Sequence, residues 1–157
     1  MSTSSEVQAQ QPQHVIDCDV EPFVPYSWGW TIRESDQISS RVRGQIVWKP
    51  NVFGLYLSKR QQGGEITGFE LRKELNTQPI LTANVLDYLL YNTHLIPDEC
   101  KDKKVFFWGT IYRGSDDILH VRYLDWISWG WDWSCFTLYG NWDEGHPAAV
   151  FLSNQVL

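Results

Sequence analysis

The stretch VFFWGTIYRGSDDILHVRYLDWISWGWDWSCFTLY, residues 105–139, decides the fold. Its first part is aromatic and β-branched, which is typical of a strand, and Gly-Ser-Asp-Asp at 114–117 has the composition of a turn. Apolar side chains then alternate with polar ones, which again favours a strand, and the two strands flanking the turn form a hairpin. We therefore predict a run of antiparallel strands at 105–113, 118–126, 129–139 and 147–152.

A helix is predicted before this stretch, over residues 50–62. Pro50 fits the first turn of a helix because that turn needs no N–H from it. Apolar residues then recur at helical spacing until Gly63-Gly64 supplies a stop. The β-forming residues Val52 and Phe53, with Gly54 after them, leave a strand open as the alternative.

Two further helices have clearer signals. Thr67 and Glu70 have the spacing of a capping box, in which each side chain reaches a backbone donor of the first turn. A helix over 83–93, with Thr82 or Asn84 as its cap, carries apolar residues at 3.6-residue spacing. These residues are Val85, Leu86, Leu89 and Leu90.

Helices followed by antiparallel strands are typical of an α+β domain. We predict two or three helices, in a helical part at about 50–100, packed on a β-meander at about 105–152. Residues 1–14 contain little to bury and are predicted to be a disordered tail, so a single domain spans 15–157. Shorter strands are expected near Ile16, Cys18 and Val20, and at 28–32 and 42–48.

Composition sets further limits on the fold and the function. The 157 residues include nine Trp, and because a buried Trp removes roughly 200 Å² from water, we expect most of them in the core. The net charge of −6 argues against a nucleic-acid binder, which needs a basic face. No apolar run is long enough for a membrane helix, and the first residues do not have the pattern of a secretory signal.

The three cysteines, Cys18, Cys100 and Cys135, are widely spaced and form no metal-ligand pattern. An odd number of scattered cysteines favours reduced thiols, which indicates a cytoplasmic protein. We expect Cys100 and Cys135 to be small buried hydrophobic residues rather than nucleophiles.

Several strings of residues resemble a family of uncharacterised bacterial proteins. They are Leu55–Lys59, Leu71–Leu75, Ala83–Leu90, the run Leu95-Ile96-Pro97, Val105–Arg113, Trp142 and Pro147–Val150. The resemblance covers roughly residues 20–152. It implies no activity, cofactor or site residue, because no function is known for that family.

The segment Trp-Gly-Trp-Asp-Trp at 129–133 is the sharpest candidate for a binding site. In a strand, alternation places its three indoles on one face, about 6.5–7 Å apart. An exposed row of indoles can stack on sugar rings or anchor a protein partner, with polar neighbours supplying hydrogen bonds. The candidate ligand-binding residues are Trp129, Trp131, Trp133, Asp132 and Asn141.

The alternative is that these indoles form the inner face of the sheet and pack on the helix at 83–93. The large area of a buried indole favours this alternative. Phe136 and Leu138 fall on the opposite strand face, so the sheet needs either a bulge near Gly130 or cover on both sides.

The sequence contains no phosphate-binding, nucleophile-elbow or zinc-protease pattern, and we expect no catalytic residue, no cofactor and no metal. The segment 143–146, Asp-Glu-Gly-His, is predicted to be a loop. We expect a non-enzymatic binding or protein-interaction module that takes a protein or a glycan through its aromatic sheet surface. A carbohydrate-binding module is the alternative, and the rival class is a hydrolase-type enzyme that assembles His120, Cys135 and Asp143.

Overall fold

The computed structural model describes residues 13–128 and 130–152. Over these ranges the chain is mixed α+β, built mostly of strands, with two α-helices, α1 (Gly68–Glu74) and α2 (Ala83–Tyr91). The strands are β1 (His14–Asp17), β2 (Gln45–Trp48), β3 (Phe53–Tyr56), β4 (Ile66–Thr67), β5 (Val105–Phe106), β6 (Tyr112–Arg113), β7 (Leu119–Ile127), β8 (Gly130–Thr137), β9 (Asn141–Trp142) and β10 (Ala148–Phe151). No helix in these ranges is long and apolar enough to cross a bilayer.

The longest strand, β7, pairs along both of its edges. β8 pairs with it antiparallel from His120 to Ile127. Because a strand has only two edges, β5 and β6 share the other edge at different ends of β7. The sheet continues from β5 through β10 to β3, and β1–β2 and β4–β9 form two small sheets.

The antiparallel pairing is confirmed, but the main sheet is not the simple meander that we predicted. β10 lies between β3 and β5, and it is parallel to β5 while antiparallel to β3. The last strand therefore returns to the middle of the sheet, and it joins the chain around residue 53 to the chain around residue 105.

Side-chain alternation along β7 and β8 gives the main sheet two different faces. On one face Leu124 belongs to the same core cluster as Val85, Leu86 and Leu89 of α2, and we call this the α2 face. On the other face Val121 shares a core cluster with Leu71 of α1, and we call this the α1 face. Both faces are covered, which is why Phe136 and Leu138 can pack in the α1-face core without a bulge that reverses the strand.

The two further predicted helices are present, but only α1 has a predicted side-chain cap, because neither Thr82 nor Asn84 caps α2 through its side chain. α1 begins after Thr67, whose side chain accepts a hydrogen bond from the backbone N–H of Glu70. α2 ends at Tyr91, two residues earlier than predicted, and Asn92 turns back to donate its side-chain amide to the carbonyl of Tyr88. Val85, Leu86 and Leu89 of its apolar face are fully buried, as the spacing predicts, whereas Leu90 is half-buried.

The predicted helix over 50–62 is wrong. A single 3-10 turn at Pro50–Val52 leads directly into β3, which pairs with β10 along its whole length. The β-forming residues and Gly54 make this segment a poor helix, and the partner strand, some hundred residues later in the chain, decides the outcome.

Two predicted strands are also corrected. The predicted strand at 28–32 begins where a 3-10 turn, Tyr26–Trp28, ends, Gly29 follows at φ 79°, and only Thr31 bridges to Arg113. The strand over 105–113 is interrupted after Phe106, because the following residues turn inward and the N–H of Gly109 donates to the carbonyl of Leu81. The predicted tail lies outside the described residues except for its last two, of which His14 begins β1.

The core contains fewer of the indoles than predicted. Four of the eight described Trp residues are buried, namely Trp30, Trp48, Trp108 and Trp142. Trp131 and Trp133 are half-buried, whereas Trp28 and Trp126 are exposed by 54% and 40%. Core packing therefore accounts for only part of the indole content, and it does not explain the exposed rings of Trp28 and Trp126.

Candidate functional site

The predicted row of indoles does not form a free ladder. Trp129 lies outside the described residues. Trp131 and Trp133 both point to the α2 face, as alternation predicts, and both pack partly against the core that contains α2. The alternative of an inward-facing row is thus closer to the structure than an exposed one.

The remaining predicted site residues do not join these indoles. Asp132 is exposed on the α1 face, opposite Asp125, and its carboxylate accepts the backbone N–H of Trp133 at 2.8 Å. Asn141 is exposed in a separate sheet, where it pairs with Thr67. Of the four predicted residues that the structure describes, only Trp131 and Trp133 lie on the same face of the sheet.

Trp131 and Trp133 themselves have different neighbours. Trp131 packs against Trp126, with ring centroids 4.8 Å apart, and the Lys101 ammonium lies 4.5 Å from the Trp126 ring. Trp133 instead contacts Phe23 and Trp28, each with ring centroids at 5.8 Å. The rings around Trp133 border a cavity that Arg122 and Asp87 also line.

The group around Trp133 forms an exposed aromatic surface. We use the name aromatic surface for Phe23, Trp28, Tyr91 and Trp133. Phe23, Trp28 and Tyr91 are exposed by 49%, 54% and 89%. Apolar side chains that are exposed and adjacent mark interaction sites more often than scattered ones do.

A buried arginine supports this surface from below. Arg122 is 1% exposed, and its guanidinium carbon lies 4.3 Å from the ring centroid of Trp133 and 5.2 Å from that of Phe23. Its Nη2 is 3.0 Å from Oδ1 of Asp87, and its Nη1 donates to the Tyr112 hydroxyl at 3.3 Å. The Nε of Arg122 has no hydrogen-bond partner among the described residues.

Asp87, Tyr112 and Asn84 hold the chain segment that carries Phe23 through hydrogen bonds to its backbone. Oδ2 of Asp87 accepts the N–H of Phe23 at 2.8 Å, and the Tyr112 hydroxyl donates to the carbonyl of Phe23 at 2.8 Å. Asn84 donates its side-chain amide to the carbonyl of Val20 at 2.7 Å. Burial raises the pKa of Tyr112 to about 12, so its hydroxyl keeps the proton that it donates.

A cavity of about 440 Å³ opens between the rings and α2. This volume is within the range of about 300–1,000 Å³ that is typical of ligand sites. Its lining is apolar apart from the ion pair, and consists of Phe23, Asp87, Leu90, Tyr91, Arg122 and Trp133. An adjoining groove adds Asp17 and Glu21 to the same rim, so the surroundings are acidic.

The three residues of the rival enzyme site do not converge. His120 and Cys135 lie on the α2 face, where the His120 ring stacks on Trp30 at 4.5 Å. Asp143 lies beside His146, whose ring packs against Phe136 on the α1 face. Burial lowers the pKa of His120 and raises the pKa of Cys135, which disfavours an imidazolium–thiolate pair.

The segment 143–146 is a turn, as predicted. The backbone N–H of Asp143 donates to Nδ1 of His146, so this nitrogen carries no proton and the imidazole is neutral. Burial lowers the pKa of His146, in agreement with that hydrogen bond. The close approach of the Asp143 carboxylate is therefore not an ion pair at neutral pH, and within the described ranges no cluster of side chains could hold a metal ion.

The cysteines are all free within the described chain. Cys100 is fully buried, and burial raises its pKa to about 12, which confirms its prediction as a small hydrophobic residue. Cys18 is also buried with a raised pKa, whereas Cys135 is only half-buried.

Sequence reasoning missed most of the aromatic surface and the ion pair beneath it. One signal was available, because Arg122 lies in the middle of β7, on the strand face that also carries Leu124 and Trp126. A charged residue at such a position needs a partner when it is buried. Comparison with protein-family models, with curated proteins and with solved structures finds no match for this chain.

Proposed function

We propose that the protein is a non-enzymatic binding module, and that its aromatic surface binds a segment of another protein. The observation that carries this proposal is the half-buried ring of Trp133, which contacts the exposed rings of Phe23 and Trp28 beside a cavity of about 440 Å³ that Tyr91 also lines. Aromatic residues with a buried arginine are the residue types that dominate the energetics of protein interfaces.

The chemistry of the surroundings defines the partner. The apolar cavity suits one large apolar side chain as an anchor. Asp17 and Glu21 at the rim, together with the net charge of −6, favour basic residues around that anchor. The partner segment is therefore basic with an apolar centre, and its association slows as salt screens the charges.

The surface is pre-organised, which favours binding. Both carboxylate oxygens of Asp87 are used, one by Arg122 and one by the backbone of Phe23. Holding Phe23 in place before the partner arrives reduces the entropy that binding must remove.

The test compares exposed aromatic residues on the two faces. Tyr91→Ser and Trp28→Ser remove rings of the aromatic surface, and Tyr139→Ser removes a ring of similar exposure that contacts Phe69 of α1. Proteins captured by the immobilised wild type are identified, and the dissociation constant of each is measured for all variants.

We expect a basic protein that binds the wild type and Tyr139→Ser equally. Either substitution in the aromatic surface should weaken it by about tenfold or more, the effect of losing a hot-spot ring. The proposal fails if all variants bind alike, or if Tyr139→Ser alone loses the partner.

A glycan remains the alternative ligand, since the exposed rings can stack on a sugar and the Asp87 carboxylate can accept hydrogen bonds from its hydroxyl groups. A glycan panel read by Trp fluorescence separates the two ligand classes. A glycan response that Tyr91→Ser abolishes, without any protein partner, replaces the protein proposal. We also keep membership of the bacterial family, and a cytoplasmic location, as proposals that rest on the sequence.

A further inference from the structure

β8 has one edge with no strand beside it. Within the described residues it pairs only with β7. Every residue of β8 is exposed or half-buried, whereas residues 121–124 of β7 are all buried. A strand edge with unpaired N–H and C=O groups is a template for an additional strand.

The hydrogen bonds around β7 show which backbone groups of β8 point to this open edge. Leu138, directly after β8, donates its N–H to the carbonyl of Leu119. The carbonyl of Arg122 instead accepts the N–H of Phe107, on the other side of β7. Because these bonds alternate along an antiparallel pair, every second residue of β8 directs its backbone groups away from β7. These residues are Trp131, Trp133, Cys135 and Thr137.

Few of these outward groups have a partner within the described chain. The carbonyl of Thr137 accepts the N–H of Gly140, and the N–H of Trp133 donates to the carboxylate of Asp132. The N–H and C=O groups of Trp131 and Cys135 have no such bond to another described residue, so they are available to a new strand. β8 also contains no Lys and no Pro, the residue types that commonly block pairing at an edge.

The side chains of β8 define what an added strand must carry on each face. On the α2 face, Trp133 lines the apolar cavity of about 440 Å³, so an apolar residue suits the position beside it. On the α1 face, the exposed Asp132 lies directly opposite Asp125, and like charges in this position repel.

A basic residue suits the position beside Asp132. Asp125 borders a groove with three lysines, whereas Asp132 lies next to the open edge and forms no ion pair within the described residues. A positive charge there offsets the repulsion between the two carboxylates. It also draws the Asp132 carboxylate away from the N–H of Trp133, which frees this donor for the new strand.

We propose, on the basis of the binding function proposed above, that the partner segment binds as an additional strand along the open edge of β8. Apolar and basic residues alternate in it, the apolar ones toward the cavity beside Trp133 and the basic ones toward Asp132. Backbone hydrogen bonds supply the affinity, and the alternating side chains supply the specificity. The net charge of −6 favours this occupant over a second copy of the chain, because two copies repel each other.

The first experiment uses short synthetic peptides with blocked ends as probes of the edge. The test peptide, Lys-Val-Lys-Phe-Lys-Val-Lys, has the alternation of the proposed strand, and Lys-Lys-Val-Phe-Val-Lys-Lys has the same composition without it. We expect the test peptide to bind at least about tenfold more tightly in calorimetry. Equal affinities, or no binding of either peptide, overturn the proposal.

Two N-methylated forms of the test peptide separate strand addition from simple attraction of charge. One form carries its methyl groups on the backbone nitrogens of the apolar residues, and the other carries them on those of the lysines. In an added strand only alternate N–H groups face β8, so one form should bind about tenfold more weakly or worse while the other keeps its affinity. Equal affinities of the two forms contradict an added strand.

A matched pair of proline variants tests the same edge from the side of the protein. Cys135→Pro removes an N–H that points outward, so the melting temperature should change little while the test peptide binds about tenfold more weakly. Ser134→Pro removes an N–H that points to β7, so the melting temperature should fall. If Cys135→Pro does not fold, the N-methylated peptides decide, since they leave the protein unchanged.

A charge reversal tests the basic face of the proposed strand. Asp132→Lys should weaken the test peptide by about tenfold, whereas Glu74→Lys makes the same change of net charge at an exposed residue of α1 and should leave its affinity unchanged. Equal effects of the two variants contradict a contact with Asp132.

The added strand and the aromatic surface fail through different results. The aromatic surface fails if Tyr91→Ser and Trp28→Ser leave the binding of the partner protein unchanged. The added strand fails if folded Cys135→Pro binds the test peptide as tightly as the wild type does, whatever the substitutions of the exposed rings show.

Discussion

The two faces of the main sheet use the same residue types for different ends. On the α1 face, Phe106, Trp108 and Trp142 are all fully buried, with ring centroids 4.3–4.9 Å apart along the chain of contacts. On the α2 face, Phe23, Trp28 and Tyr91 remain exposed above an ion pair. Aromatic content alone therefore does not separate core from surface.

The elements that pack on each face of the main sheet explain why its aromatic residues are buried on the α1 face and partly exposed on the α2 face. On the α1 face, α1 and Trp142 of the small β4–β9 sheet belong to the same core cluster as the main-sheet residues. On the α2 face, α2 ends at Tyr91, and the segment that carries Phe23 borders the cavity without filling it. Both faces therefore carry a core, but the cover of the α2 face stops short of Phe23, Trp28 and Tyr91, and this part of the face is open to a partner.

The largest expected effect comes from the closed face. Trp142→Ala removes an indole that is 0% exposed, and it should lower the free energy of unfolding by about 3–5 kcal/mol. Urea unfolding measures the change. A loss below about 1 kcal/mol would show that the α1 face is not tightly packed and would remove the contrast between the faces.

The ion pair on the open face gives the next largest effect. Asp87→Asn leaves the buried Arg122 without its counter-charge, and breaking such a pair costs about 3 kcal/mol or more. The double variant Asp87→Asn, Arg122→Met removes both charges and should recover part of that loss. Equal stability of Asp87→Asn and wild type in urea would contradict a buried pair.

A smaller effect is a loss of stability in weak acid, to which one histidine on each face contributes. Burial lowers the pKa of both His120 and His146 below the usual 6.5, so the folded protein binds fewer protons than the unfolded chain. Their contribution is therefore present above pH 6.5 and is lost as the pH falls through the folded pKa values.

The change is measured as the urea midpoint between neutral pH and pH values below 6.5. His120→Phe keeps a ring to stack on Trp30 but cannot titrate, so its midpoint should change less with pH than that of the wild type. An identical pH dependence would show that His120 titrates normally.

The smallest effect on stability is expected at the exposed rings. Tyr91→Ser and Tyr139→Ser change residues exposed by 89% and 69%, so each should stay within about 0.5 kcal/mol of wild type. A larger loss in Tyr91→Ser would mean that Tyr91 supports the fold, and its effect on binding would then need another variant.

Local signals in the sequence predicted the parts of the fold that depend on neighbours in the chain. The Thr67 cap, the buried face of α2 and the β7–β8 pairing all follow from residues within a few positions of one another, although Glu70 pairs with Arg60 and does not complete the capping box. Alternation also placed His120 and Arg122 on one face and Asp125 on the other, as observed.

Distant contacts decided the remaining parts. β3 forms because β10 pairs with it, and the break after Phe106 occurs because Gly109 packs on the backbone of Leu81, where a Cβ would lie 2.6 Å from the carbonyl. The aromatic surface combines residue 23, residue 91 and residue 133, which no local pattern links. Of the residues in the aromatic surface, only Trp133 was predicted to bind a ligand, because it lies in the Trp-rich strand.

Hydroxyl-radical footprinting of the native protein tests the central claim most directly, since oxidation reports the solvent exposure of each ring. The account predicts rapid oxidation of Trp28 and Tyr91 and strong protection of Trp108 and Trp142. Similar protection of all four rings would contradict it, because the α2 face would then be as closed as the α1 face and would offer no surface to a partner.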